Sequence, residues 1–226
     1  MSRKPELSWI ILLFFGLSLR GLALASGPTI GPGPQSQHGS EERSSVTVLV
    51  YNHARLPMET LQQVRDRTQL IFRKAGVEIE WADCPLKDED PSLYPGCPAV
   101  IHKTQLFLRI FPQTAAKMNE GGEAFVAARI ANIFWNRVDE QAQRLKVPTP
   151  RVMAHTVAHE LGHLLLGSNS HSPTGIMTAH WDTQVLTRIC QEGLYFNHQQ
   201  SDFMRGELRK RESQESAKTD LLMAQR

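Results

Sequence analysis

Residues 149–167 limit the fold more than any other stretch. Thr149-Pro150 reads as a helix start, with Thr as N-cap and Pro at the first helical position, and Gly167 reads as the stop. Between them Val152, Met153, Val157, Leu161, Leu164 and Leu165 make the helix apolar over most of its circumference. Such a helix is predicted to run buried through the centre of the domain. It nevertheless carries His155, His159, Glu160 and His163. Buried polar groups are costly unless they are satisfied, so the rest of the chain must bring partners to them.

His159 and His163 are four residues apart, one above the other on a single helix face, and both imidazoles can reach one metal ion. Glu160 stands beside the first of them, where a carboxylate can hold and deprotonate a metal-activated water. This is the HExxH pattern of zinc hydrolases, whose zinc takes three protein ligands and a water. His155 continues the row but lies eight residues from His163, about 12 Å along the axis, too far to share an ion, and is expected to be packed or supporting. A chain that turns back after Gly167 can bring His171 alongside as the third ligand. Glu192, an acid further downstream, is the competing third ligand. Gly162 lies inside the helix, where room for close packing would explain a residue that costs about 1 kcal/mol against Ala.

The remaining elements surround this helix. Val46 to Tyr51 reads as a buried strand, Pro57 opens a helix through about Lys74 with Leu61, Val64, Thr68, Ile71 and Phe72 on one face, and Gly76 ends it. Val77 to Trp81 alternates as a second strand, giving a strand–helix–strand unit whose strands should be parallel. A proline-rich loop from Asp83 to Lys103 precedes a strand from Leu106 to Phe111. Gly121-Gly122 breaks the chain. Glu123 to Ala128 and Ile130 to Val138 follow as strands, the first an expected exposed edge. A tight turn spans Ser172 to Met177, and Asn197 to Arg211 reads as a helix using Phe203, Met204 and Leu208. The residues from Ser213 onward are expected to fray.

At the N-terminus, Arg3 and Lys4 precede an apolar run from Trp9 to Leu19, and Ala23-Leu24-Ala25 is a small-residue cleavage signature. Residues 1–25 are therefore expected to be a secretory signal peptide, the apolar run being too short to span a bilayer. Residues 26–45 form a Gly/Pro/Ser-rich leader, 46–212 the folded domain and 213–226 a polar tail. Cleavage after Ala25 removes Arg3, Lys4, Arg20 and Glu6, taking 25 basic and 23 acidic residues to 22 of each. A neutral mature chain argues against nucleic-acid or acidic-membrane partners. In an oxidising compartment, extracellular or periplasmic, Cys84 and Cys97 can close the proline-rich loop as a disulfide, with Cys190 left over; three reduced thiols are the alternative.

The run HELGHLLLGSNSH followed by SPTGIM resembles the metzincin metalloproteases, and the His171-Ser172 pair is similar to their matrixin branch. The resemblance is confined mainly to residues 159–177. It implies an α+β zincin fold: a twisted mixed sheet, two main helices, one bearing the motif, and a small C-terminal helical subdomain. It also implies one catalytic zinc ion held by His159, His163 and His171, Glu160 as general base, and Met177 as the turn methionine beneath the metal. The chain departs from the family pattern where its glycine falls at 167 and its third histidine at 171, two residues late. Ala179 stands where some branches have a tyrosine, and no cysteine-containing pro-segment is present. The function so implied is a secreted zinc endopeptidase acting on protein or peptide substrates. Its alternatives are an inactive zinc-containing peptide-binding module, a zincin with a downstream glutamate ligand, and a metal-dependent hydrolase of another substrate.

Overall fold

The computed structural model describes residues 44–113 and 121–224; the expected signal peptide and almost all of the leader lie outside them. Alternation along β1 (Ser44–Tyr51) sends Val46, Val48 and Val50 into the main core and Leu49 to the opposite face of the sheet. Pro57, with its fixed φ, precedes α1 (Met58–Arg73), whose buried face is Leu61, Val64, Thr68, Ile71 and Phe72. Gly76, at φ +74°, makes the turn into β2 (Val77–Asp83). β1 and β2 pair in parallel, Val46 opposite Ile79.

β3 (Gln105–Phe111) joins the other side of β1 in parallel, and β4 (Gly122–Phe125) and β5 (Ile130–Phe134) complete the sheet. The order is β2-β1-β3-β5-β4, with β4 antiparallel to β5 and on the edge. The expected strand over 123–128 ends at Phe125, because Val126–Ala128 tighten into a 3-10 turn and Arg129 takes φ +58°.

The expected strand over 130–138 also ends early. α2 (Trp135–Leu145) starts directly after Phe134, and buries Val138 and Ala142, one helical turn apart, among polar neighbours. That spacing is a helix pattern that the apolar start of the segment obscures. α3 (Thr149–Leu166) spans the expected central helix, with thirteen of its residues buried. Its N-cap is Pro148 rather than Thr149; the Thr149 hydroxyl instead donates to Asp139 Oδ1 at 2.8 Å and ties α3 to α2.

α3 and α1 share the main core with the Val48, Leu106, Leu108 and Ile133 side chains of the sheet. α4 (Thr183–Gln191) begins at Asp182, whose carboxylate accepts from Val185 N at 2.9 Å. α5 (His198–Ala224) packs through Met204 and Leu208, whereas Phe203 is exposed. Arg205 Nη1 donates to the Ala75 carbonyl at 2.6 Å and Arg211 Nη2 to the Leu164 carbonyl at 3.1 Å, holding α5 against the ends of α1 and α3. The helix continues through the expected fraying region, where Glu215 accepts from Lys103 N at 2.6 Å. Among the described residues no helix is long and apolar enough to cross a membrane.

Cys84 and Cys97 form a disulfide, Cα to Cα 5.0 Å, across the proline-rich loop. With Leu49, Ala82 and Phe107 it builds a small core on the sheet face away from α3. Closing a loop of this length restricts the unfolded chain by about 3 kcal/mol. The Cys84→Ser/Cys97→Ser variant should therefore unfold at a lower urea midpoint than the oxidised protein, with an unfolding free energy about 3 kcal/mol smaller. Equal midpoints would mean the bridge adds nothing.

Candidate metal centre

Burial on α3 and the turn that follows it bring three histidines together. The candidate ligand atoms of His159, His163 and His171 all lie within 4.8 Å of one another. His159 Nε2 and His163 Nε2 are 3.1 Å apart, near the roughly 3.4 Å expected for two nitrogens on one tetrahedral zinc. Gly167, at φ +93°, stops α3, and Asn169 at φ +64° reverses the chain so that His171 returns to the helix. Asn tolerates this left-handed conformation better than most residues. Glu192, the competing ligand, is exposed at the C-terminal end of α4 and is not part of this group.

The chemistry of the donor set suits a cation. His159 Nδ1 lies 2.8 Å from the Ile176 carbonyl, which can only accept, so the ring proton sits on Nδ1 and the Nε2 lone pair faces the other histidines. His163 Nδ1 lies 2.9 Å from Ser170 Oγ. A hydroxyl both donates and accepts, so either tautomer of His163 is satisfied, including the one that frees Nε2 for a metal. Ser170 has no role that the motif alone would reveal. Burial lowers His159 to about 4, and burial together with the neighbouring His171 lowers His163. Near pH 7 both rings are neutral, as ligands must be.

Glu160 is 7% exposed and lines the same cleft as the three histidines. A Cβ at Gly122 would stand 2.8 Å from Glu160 Cγ and 2.9 Å from the Asn132 carbonyl, so only glycine lets β4 pass this close to the carboxylate-bearing side chain. The sequence marks Gly121-Gly122 only as a break; its role at Glu160 needs the packing. The cleft holds about 710 Å³ and runs along β4 past the histidines to Ala179, His180 and Trp181. Trp181 stands edge-on to His159, ring centroids 5.8 Å apart, and donates to the Thr178 carbonyl at 3.1 Å. It is both packed and lining.

Met177 is fully buried. A Cβ on Gly162 would come within 2.7 Å of Met177 Sδ and 2.8 Å of Phe196 Cε1, which accounts for a glycine inside the helix. The turn before it is closed by Ser172 N donating to the Met177 carbonyl at 2.8 Å, with Ser172 Oγ donating to the Thr174 carbonyl at 2.8 Å. Ser172 is thus explained by the turn itself. His155 is fully buried, with Nδ1 2.8 Å from the Arg151 carbonyl and Nε2 accepting from Leu194 N at 3.2 Å. It is packed, as expected, and not a ligand.

No protein-family profile matches the chain, and no curated protein matches it. Among solved structures it is similar to a zinc-dependent peptidase from Methanocorpusculum labreanum, at 16% identity and TM-score 0.48, over 70% of this chain and 99% of that one. It is also similar to archaemetzincin from Methanopyrus kandleri, at 16% identity and TM-score 0.49, over 75% and 99%. Archaemetzincin from Archaeoglobus fulgidus follows at 18% identity and TM-score 0.40, over 70% and 99%. None of the three is described as a matrixin. Likeness at this level assigns no activity to this chain.

Two expectations follow. Gly162→Ala gains about 1 kcal/mol of helix propensity but overfills a packed site at a typical cost of about 1–3 kcal/mol. Its melting temperature should fall rather than rise. Burial also lowers His155 to about 4, against an unfolded value near 6.5. Between those values the unfolded chain binds more protons, so stability present above about pH 6.5 is lost as pH falls towards about 4. In chelator, the melting temperature should decline across that window; a level or rising profile would contradict it.

Proposed function

We propose that this protein is a secreted or periplasmic zinc-dependent endopeptidase of metzincin type. The convergence of His159, His163 and His171 beside Glu160, in a cleft bordered by an edge strand, is the observation that carries the proposal. The three histidines would hold one zinc ion, which when bound supplies Lewis acidity, lowering the pKa of water towards about 7 and polarising a carbonyl.

The protein's own groups do the rest. Among the described residues β4 is an edge strand, to which an extended peptide can add as a further strand and lie across the histidines. Main-chain pairing of this kind suits protein or peptide substrates and needs neither nucleic acid nor membrane. Glu160 accepts the proton of the attacking water and returns it to the leaving amine. It is buried against Gly122 and lines the cleft. Met177 supplies an apolar floor and no chemistry. The disulfide and the signal-like N-terminus support an oxidising compartment. The His171-Ser172 pair resembles the matrixin branch, but turn closure by Ser172 explains it without that membership.

The test is digestion of a broad peptide library with and without chelator, beside Glu160→Gln. Glu160→Gln should keep its fold and metal while cleavage falls by a factor on the order of 10²–10⁴. Undiminished cleavage by that variant would remove Glu160 from the mechanism. Absence of any chelator-sensitive cleavage by the wild type would favour a zinc-containing peptide-binding module.

A further inference from the structure

His155 is the histidine of the α3 row that the proposed chemistry leaves unused, and its bonds lead back to the site. Arg151 O takes the ring proton at Nδ1, which fixes the Nε2 lone pair on Leu194 N–H, 3.2 Å away. Leu194 opens a segment between α4 and α5 that is in no strand, so this amide has no ladder partner. The next residue turns the other way: the Tyr195 carbonyl accepts from Ile176 N at 3.0 Å. The Ile176 carbonyl in turn accepts from His159 Nδ1 at 2.8 Å.

Three hydrogen bonds and two short backbone segments thus run from a buried histidine that cannot touch the metal to one that can. Each link is tightly set. A Cβ at Gly175 would stand 2.7 Å from the Tyr195 carbonyl, so the turn and the 193–197 segment approach backbone to backbone. Gly193 takes φ +80°, and Leu194 and Phe196 are buried, leaving little freedom for the segment to shift. Burial keeps His155 neutral near pH 7, so Nε2 is available to accept.

From this path we infer that His155 is a positioning residue, holding the Leu194–Tyr195 segment in the register that lets Ile176 orient His159 towards the metal. The inference rests on the zinc-site reading above and deepens it. Loss of an outer hydrogen-bond partner of a ligand commonly weakens metal binding by a factor on the order of 10–100. A role limited to filling space would produce no such effect when an apolar ring replaces the imidazole.

Zinc affinity, measured by competition with a chromophoric chelator, tests it without reference to activity. His155→Phe should bind zinc at least about tenfold more weakly. His155→Gln, whose amide can donate to Arg151 O and accept from Leu194 N, should return to near wild-type affinity. Val152→Ala, a cavity in the same helix away from the path, should leave affinity unchanged despite its lower stability. Wild-type affinity in His155→Phe, no rescue by Gln, or equal weakening by Val152→Ala would each overturn the inference. If the variants do not fold, nitrogen-15 NMR of the wild type decides. Zinc should shift the Ile176 and Leu194 amides and the His155 ring nitrogens with the midpoint of His159, and stationary Leu194 and His155 signals would overturn it. A wild type that binds no zinc would instead overturn the site reading on which it rests.

Discussion

The hydrogen bond from His159 Nδ1 to the Ile176 carbonyl joins the two parts on which the site depends. One part is a helix too apolar to sit anywhere but the core. The other is a turn at the far end of a loop, folded back against it. A buried imidazole with one nitrogen tied to a carbonyl presents the other as a lone pair, and desolvation keeps it unprotonated near neutrality. The Ile176 carbonyl accounts for one side of the ring, and the other faces His163. The same turn brings Met177 under the helix at Gly162, so the orientation of a ligand and the packing of the core are fixed together.

The sheet contributes position rather than chemistry. Its order places β2 and β4 on the two edges, and β4 is the one beside α3, where it borders the histidines. Gly122 is where this arrangement is tightest. Any side chain there would meet Glu160 on one side and the Asn132 carbonyl on the other. A strand edge and a carboxylate lining the same cleft suit a substrate that is itself extended backbone.

Much of this was legible in the sequence because periodicity and punctuation agreed. The five buried residues of α1 are those its spacing selects, and Gly76 and Gly167 end helices at positive φ where a side chain would be strained. The Cys84–Cys97 bridge and the grouping of His171 with His159 and His163 also follow from local spacing and one loop reversal. What escaped depends on contacts between distant segments. α2 was hidden by the apolar residues that precede it, since only Val138 and Ala142 mark its buried face. α4 carries a readable Asp182 cap and apolar residues at helical spacing, Val185, Leu186 and Ile189, but at nine residues it is short. Gly122, Ser170 and the Ile176 carbonyl act through Glu160 and the histidines. No pattern in the chain places them there.

Intact-mass spectrometry under native conditions tests the central claim most directly, applied to the wild type, His171→Ala and Glu192→Ala. The account predicts one zinc per chain in the wild type and in Glu192→Ala, and none in His171→Ala. Zinc retained by His171→Ala and lost from Glu192→Ala would contradict it.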